Sequence, residues 1–286
     1  MKYAALMCMA GLLGLGLTAM SWGEENEPNI EELFGSDGGY FQPYVGLAGF
    51  YDDNVFRVPQ DEVDDFAAVL SPGIWLALPG TYDKMLSLDT STLSPGGLGL
   101  VRDRSERFQR FQGFLHYGAE LTRYQDTGDL SDTDDQRLDA MLQFNFWDNL
   151  SVDLLGIYLN DHDEYNQGVS RAIDTYKSGL LGARATYDLG SRFRLRGMYR
   201  FFAIEYDEEE NSSRDREDNM LATYLYYRLS GRSSLFVEYD YTDIAYDNNS
   251  ELDSREHTWW AGYRWRLSGR TLGEARIGYL LKDYDL

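Results

Sequence analysis

Apolar and polar residues alternate with a period of two in the last third of the chain. From Phe193 to Ala203, apolar residues hold one parity, whereas the other parity carries three arginines together with Met198 and Phe202. The same alternation recurs in residues 221–229 and 259–267. Successive side chains of a β-strand point to opposite faces, so this pattern predicts strands with one apolar and one charged face.

Short turns separate these strands at a regular spacing. They are Gly190-Ser191-Arg192, Ser230-Gly231-Arg232 and Ser268-Gly269-Arg270, and they recur after 40 and 38 residues. That spacing fits two strands of about 13 residues joined by a loop of about 10. The loops at the other strand ends are predicted at Asp207 to Asp218 and at Asp247 to Glu256, and both are acidic.

Two folds can use such strands. A soluble sandwich or barrel turns the apolar face inward, whereas a membrane barrel turns it toward lipid. The strict alternation of short turns with long loops favours the second, so the predicted fold is an all-β, antiparallel up-and-down transmembrane β-barrel. Aromatic residues near the strand ends are predicted to form an interfacial girdle. They are Tyr206, Tyr246, Tyr284, Trp259 and Trp265.

The N-terminus predicts export. Lys2 precedes an apolar run from Ala4 to Ala19, and residues 1–23 are predicted to be a signal peptide cleaved after Ser21 or Gly23. A membrane anchor is the weaker alternative, because a spanning helix needs about 20 apolar residues. The single cysteine, Cys8, leaves with this segment, so the mature chain has no thiol for a disulfide or a metal site.

The rest of the chain divides into a lead-in and a barrel. Residues 24–39 are predicted to be a flexible acidic periplasmic segment, with a short helix at Ile30 to Phe34 as the alternative. Residues 40–286 are predicted to form the barrel, in which 79–107 is an insertion or loop. Further strands are predicted at 40–51, 66–78, 108–123, 138–146, 152–160 and 175–189, and Pro72-Gly73 predicts a bulge or an unpaired donor.

The first hairpin resembles a known family. The segment Phe50-Tyr51-Asp52-Asp53-Asn54-Val55-Phe56-Arg57, followed by an acidic loop and Leu70-Ser71-Pro72-Gly73, is similar to the opening of the β-barrel porin 2 family. The resemblance implies an outer-membrane protein of a Gram-negative bacterium, of a kind often encoded with exopolysaccharide or capsule export genes. It implies no catalytic residues.

Eleven strands are predicted, or twelve if Met85 to Thr90 forms one. The repeat places a further short turn beyond Leu286, and antiparallel closure of a barrel needs an even number of strands. We therefore expect a truncated barrel whose edge strands stay open or imperfectly joined. Such a chain should assemble poorly alone, because unpaired backbone groups in hydrocarbon cost several kcal/mol. A complete twelve-stranded barrel is the alternative.

The net charge of the chain excludes one class of function, nucleic-acid binding. The formal net charge of -22 excludes a nucleic-acid binder, because phosphate requires a basic surface. The acidic excess lies in the loops, whereas the polar parity of the strands is nearly balanced. Its predicted basic members are Arg110, Arg184, Arg194, Arg196, Arg200, Arg228, Arg264, Arg266 and Arg276. Its predicted acidic members are Glu120, Asp139, Asp153, Asp188, Glu238, Asp240 and Glu274.

This polar parity has two interpretations. The first is a set of cross-strand ion pairs that fills and stiffens a barrel. The second is a conduit in which an arginine ladder guides an acidic polymer. The candidate ladder is Arg194, Arg196, Arg200, Arg228, Arg264 and Arg266. The candidate lumen aromatics Tyr224, Tyr226 and Trp260, with Phe202, could stack on sugar rings or serve in packing.

Metal and catalytic sites have little support in the sequence. Aspartates between Asp126 and Asp135 offer oxygen ligands, but their spacing matches neither the EF-hand loop nor a glycine-rich nonapeptide repeat, so a solvated loop is predicted. The histidines His116, His162 and His257 are scattered, and His162 is predicted to lie exposed in a loop rather than act as a rim base. We predict no enzyme, no metal and no cofactor.

The predicted function is therefore a porin-like outer-membrane conduit, or an accessory of exopolysaccharide export. A structural or adhesive barrel with a plugged lumen is the alternative, and a rim-site barrel hydrolase is a weaker one. Predicted partners are outer-membrane lipid and lipopolysaccharide, with a polysaccharide or polysaccharide-export proteins as further candidates.

Overall fold

A computed structural model describes residues 41–56, 62–77, 111–146, 149–163, 174–266 and 272–284. The predicted signal peptide, the acidic lead-in, the 79–107 insertion with Met85 to Thr90, Arg110 and the Ser268-Gly269-Arg270 turn lie outside these residues. Within them, no helix is long and apolar enough to span a membrane.

In the described residues, eleven strands form one antiparallel sheet in which every strand pairs with its neighbours in sequence. The strands are β1 Phe41–Asp52, β2 Asp65–Ala77, β3 Phe111–Tyr124, β4 Thr133–Phe146, β5 Leu150–Asp163, β6 Asp174–Leu189, β7 Phe193–Tyr206, β8 Arg216–Ser230, β9 Ser233–Tyr246, β10 Ser254–Arg266 and β11 Leu272–Tyr284. The predicted all-β, antiparallel up-and-down class is confirmed. So are the short turns after β6 and β8, the first of which contains Gly190 with a φ of 68°.

The charged face of the sheet is buried and the apolar face is exposed, which is the reverse of a soluble protein. On β7, Arg200 is 3% exposed while Leu195 on the opposite face is 47% exposed. On β8, Asp218 and Ala222 are buried, whereas Leu225 is 40% exposed. The charged parity is therefore the sheltered one, as the membrane-barrel interpretation of the alternation predicts.

The sheet curves around its polar face. Tyr44 on β1 and His116 on β3 are joined by a hydrogen bond of 2.7 Å between Oη and Nε2 that passes over β2. At the other side of the sheet, the Arg264 guanidinium on β10 lies 5.8 Å from the centre of the Tyr226 ring on β8. These contacts across an intervening strand, together with the burial of the same parity, indicate that this face is concave.

The concave face is not uniformly polar. Strands β2 to β7 contribute a cluster of buried apolar side chains to it: Trp75, Phe114, Met141, Leu155, Ile157, Leu159, Tyr176, Leu180, Phe202, Ile204 and Tyr206. The sequence predicted Tyr206 in an outward girdle, and this is wrong. Tyr206 shares its parity with Arg200 and packs against Tyr176, with 5.7 Å between ring centroids. Trp259, by contrast, is exposed on the outer face.

Glycine at position 73 makes room for an aromatic ring. A Cβ atom at Gly73 would overlap the ring of Tyr44, which crosses β2 at this point. The predicted bulge at Pro72-Gly73 is not present, because the β2–β3 register is the same at Leu70↔Leu121 and at Gly73↔Gly118. The alternative of interrupted pairing holds, since Ser71 and Pro72 have no partner on β3.

Several loops are shorter than predicted. The loop after β7 spans 207–215 and contains a 3₁₀ helix, Glu209–Arg214, so Asp218 belongs to β8. The loop after β9 likewise ends before Ser254, and Glu256 belongs to β10. After β3 a short helix, α1 Gly128–Ser131, precedes β4. The predicted loops are too long because the prediction places acidic residues in loops on the basis of charge alone. Carboxylates also occupy the concave face of the strands.

The two edge strands do not pair with each other in the described residues. β1 pairs only with β2, and β11 pairs only with β10. With eleven up-and-down strands, β1 and β11 run in the same direction. Over the ranges that the structure describes, the sheet is therefore curved but not closed.

We predict that Gly73→Ala destabilises the protein by about 1–3 kcal/mol, because the added methyl group displaces the Tyr44 ring and breaks its bond to His116. Equilibrium unfolding in urea measures the change. Gly197→Ala is the matched control, because nothing lies within 4 Å of its added Cβ atom. Equal losses in the two variants would contradict the packing argument.

Candidate functional site

A basic pocket opens on the concave face at the short-turn end of the sheet. It has a volume of about 160 Å³ and is lined by Arg192, Phe193, Arg194, Arg196, Tyr226, Arg228, Ser234 and Arg264. Five arginines thus come together from β7, β8, β10 and the turn before β7. No carboxylate is among the lining residues. Four of the five arginines were in the predicted ladder, and the fifth, Arg192, was predicted only as a turn residue.

Two of these arginines are neutralised by carboxylates on neighbouring strands. Arg194 Nη2 donates to Asp188 Oδ2 at 2.8 Å, and a second bond joins Nε to Oδ1. Arg264 Nε donates to Glu274 Oε2 at 2.7 Å. These are the cross-strand ion pairs that the first interpretation of the polar parity predicted. They fix both guanidinium groups at the wall of the pocket.

Arg196 is held differently, by aromatic rings. Its guanidinium carbon lies 5.7 Å from the ring centre of Tyr224 and 5.4 Å from that of Tyr226. The two tyrosine rings are stacked, with centroids 6.1 Å apart and planes 6° from parallel. Cation–π contacts of this kind position a guanidinium without neutralising its charge. Tyr226 is buried, so its ring serves packing and positioning.

The remaining ladder and aromatic candidates are spread along the concave face. Arg200 is buried deeper along β7, and its Nε and Nη1 atoms form no hydrogen bond within the described residues. Arg266 is exposed at the turn end of β10 and does not line the pocket. Trp260 packs over Gly278 and lies 4.5 Å below the guanidinium of Arg276. The structure thus brings part of the predicted ladder together and leaves Arg266 apart.

A buried ion pair stiffens the middle of the sheet. Arg184 on β6 faces Asp153 on β5, with Nη2 at 2.7 Å from Oδ2, and their side chains are 3% and 5% exposed. Opposite charges directly across two strands stabilise the register between them. Both residues were in the predicted polar parity.

The acidic loops share a structural motif that the sequence analysis missed. In three loops an aspartate accepts a hydrogen bond from the backbone N–H of the tyrosine that ends the preceding strand. The pairs are Tyr124 with Asp132, Tyr206 with Asp215, and Tyr246 with Asp253, at 2.7 to 2.8 Å. A tyrosine followed seven to nine residues later by aspartate was the available signal. These carboxylates close the loops.

Asp207 ties the loop after β7 to the neighbouring strand β6. Its carboxylate accepts hydrogen bonds from Lys177 Nζ at 2.7 Å and from Thr175 Oγ1 at 3.0 Å. The bond from Lys177, followed by that from Thr175, lowers the pKa of the Asp207 carboxyl. A lowered pKa in the folded state stabilises the fold above the ordinary carboxyl pKa of about 3.9, and this contribution is lost as the pH falls through the folded value.

His162 lies in a strand and not in a loop, which corrects the prediction for this residue. Its Nδ1 atom is 2.8 Å from Asp135 Oδ1, and Asp161 lies beside them. These three residues place their ligand atoms within 4.8 Å of one another. The hydrogen bond between His162 and Asp135 accounts for the arrangement across β4 and β5.

Together, the faces and the pocket define a class of protein: a curved, single-sheet, up-and-down β-protein with an apolar outer face and a charged inner face. Residues 117–277 match a family described as "Protein of unknown function (DUF3187)". This match covers more than half of the chain, so the chain belongs to the DUF3187 family. No curated protein matches it.

Solved structures with a similar chain course have low sequence identity. OmpT, an outer membrane protein of Vibrio cholerae, is 9% identical with a TM-score of 0.45, over 85% of this chain and 86% of that one. The COG4313 outer membrane channel from Pseudomonas putida F1 is 12% identical with a TM-score of 0.39, over 82% and 86%. Both TM-scores are below 0.5.

We predict that Asp153→Leu costs about 3–5 kcal/mol of unfolding free energy, because it leaves the buried Arg184 guanidinium without its carboxylate. The double variant Asp153→Leu/Arg184→Leu should lose much less, since it removes both charges. Urea unfolding of the two variants tests this. A double variant as unstable as the single one would show that Arg184 contributes by packing rather than by its charge.

Proposed function

We propose that the protein is an outer-membrane β-barrel protein that acts as a porin-like conduit or accessory in exopolysaccharide export. The observation that carries its membrane location is the inside-out sheet: large apolar side chains are exposed on the convex face, whereas charged side chains are buried on the concave one. Leu195, Leu225, Val237, Trp259 and Ile277 are all at least 40% exposed.

The outer face suits lipid better than water. Exposed apolar area costs roughly 25 cal/mol per Å² in water, and this cost disappears in a hydrocarbon environment. The strands have 12 to 16 residues, which exceeds the about 9–11 residues that a tilted strand needs to cross a bilayer. Lipid and lipopolysaccharide are therefore the proposed surroundings, with the acidic loops outside and the short turns in the periplasm.

The export role is supported by the inner face. Arg228 and Arg192 are exposed at the turn end, Arg196 is half-buried, and Arg200 is buried further along the same strand. Basic groups at successive depths give an acidic polymer a series of favourable positions. The resemblance of the first hairpin to the β-barrel porin 2 family supports the same role. The proposal involves no enzyme activity and no cofactor.

A second candidate function is a structural or adhesive barrel with a filled interior. The observation in its favour is the burial of inner side chains, both in the apolar cluster on β2 to β7 and at Asp153, Arg184 and Asp240. Side chains that are inaccessible to water leave no passage at that level.

We predict that Leu225→Arg prevents stable insertion, because a charge at mid-bilayer on the lipid face costs about 2–4 kcal/mol. Arg228→Leu, on the other parity of the same strand, should be milder. Folding into vesicles of outer-membrane lipids, assayed by protection from protease, measures both. Equal effects of the two changes would show that the faces do not differ in surroundings.

Conductance in planar bilayers distinguishes the two candidates. We expect single-channel currents with a preference for anions, because Arg192, Arg196 and Arg228 have no carboxylate partner in the described residues. An inserted protein that passes no current would contradict the conduit and favour the filled barrel.

A further inference from the structure

We propose that the basic pocket at the short-turn end binds a carboxylate group of an acidic polysaccharide. This deepens the proposed export role and rests on it for the direction from which the ligand arrives. The short turns are the proposed periplasmic end, so the pocket lies where an exported polymer would enter.

Positive and negative charges around the pocket are not balanced. Asp188 neutralises Arg194 and Glu274 neutralises Arg264. Among the described residues no carboxylate pairs with Arg192, Arg196 or Arg228. The charged neighbours of Arg196 are themselves arginines, Arg184 and Arg194. Three uncompensated cations around one small, partly sheltered pocket repel one another, and a bound anion removes that repulsion.

Arg196 has hydrogen-bond donors available for a ligand. Arg196 Nε is buried and has no hydrogen-bond partner, and only a long contact of 3.4 Å joins its Nη1 to the Tyr226 hydroxyl. A buried donor without a partner costs free energy that an acceptor on a ligand recovers. The guanidinium group presents its N–H bonds as a planar fork, which matches the two oxygens of a carboxylate.

The arginines of the pocket are preorganised by aromatic rings. Tyr226 lies between two guanidinium groups, at 5.4 Å from Arg196 and 5.8 Å from Arg264. Its own ring is supported by Tyr224 and by Phe236, whose centroids are 6.1 Å and 5.8 Å away. The arginines are therefore held in position before a ligand arrives, which reduces the entropy lost on binding.

The volume of the pocket limits the size of the group that it can bind. Its volume of about 160 Å³ is several times the roughly 30 Å³ that one water occupies in the liquid, so it holds a carboxylate with part of the group that carries it. A polymer chain does not fit inside it. The pocket therefore takes one acidic group at a time, which suits a chain that passes along the inner face.

The test is calorimetric titration of the full-length protein, folded in detergent, with trigalacturonate at low salt. We expect binding that weakens about tenfold in Arg196→Gln and in Arg228→Gln, because each removes one charge-assisted donor. Binding of the wild type should also weaken as sodium chloride is raised. Arg228 is exposed at the end of β8, so its replacement tests the pocket even if Arg196→Gln fails to fold.

Controls separate this site from general charge effects. Arg255→Gln removes an exposed arginine at the loop end of β10, paired with Asp243, and should leave trigalacturonate binding unchanged. Maltotriose, a neutral sugar, should not bind. Inorganic phosphate probes the alternative source of an oxyanion and should bind more weakly than trigalacturonate.

Three outcomes would overturn the proposal: no binding of trigalacturonate to the wild type, equal binding by the two pocket variants and the wild type, or tighter binding of inorganic phosphate. Because the titration is done in detergent, it depends neither on membrane insertion nor on an open channel. A protein that inserts and conducts but does not bind trigalacturonate would retain the proposed function and lose this site.

Discussion

Each strand of this protein has only two faces, and the hydrogen-bonded ladder fixes which residues share each of them. A shift of one residue in any pair would exchange the apolar and the charged parities. The register β7–β8, for example, aligns Leu195 with Leu225 on the outer face and Arg196 with Tyr224 on the inner one. The ladder therefore decides at once which side chains meet the surroundings and which form the interior.

The interior has two parts with different physical character. On β2 to β7 it is packed by apolar side chains, and on β7 to β11 it carries charge. The pairs Arg194 with Asp188 and Arg264 with Glu274 satisfy part of this charge, and the buried pair of Asp153 with Arg184 stiffens the sheet at β5 and β6. The arginines of the basic pocket are not fully satisfied in this way. A ligand that satisfies these arginines would therefore bind on the charged side of the curved sheet.

The strand pattern of β7 to β10 was predictable because the contrast between the parities is strong there. In β5 this contrast between the parities is absent. Leu154 and Tyr158 face outward, whereas Leu155, Ile157 and Leu159 face inward, so both parities are apolar. Alternation alone could not reveal the inner apolar cluster. Strand ends were also misjudged, because aspartates such as Asp218 pair on the inner face where charge is tolerated.

The site was predictable in part. Parity identified Arg194, Arg196, Arg228 and Arg264 as a group, since they occupy the inner face near short turns. Parity does not show which of these arginines are neutralised. Neutralisation depends on the strand register, which places Asp188 opposite Arg194 and Glu274 opposite Arg264. Arg192 was missed because a turn residue has no parity. The role of the loop aspartates as backbone acceptors depends on three-dimensional closure.

We propose that the apolar face of the sheet meets lipid and the charged face does not. The most direct measurement places nitroxide labels one at a time at residues 195–200, in a chain whose single cysteine, Cys8, has been replaced, and compares collision with oxygen and with a water-soluble nickel complex in lipid vesicles. We expect oxygen accessibility to alternate with a period of two and to peak at 195, 197 and 199. Uniform accessibility, or peaks at 196, 198 and 200, would contradict the proposal.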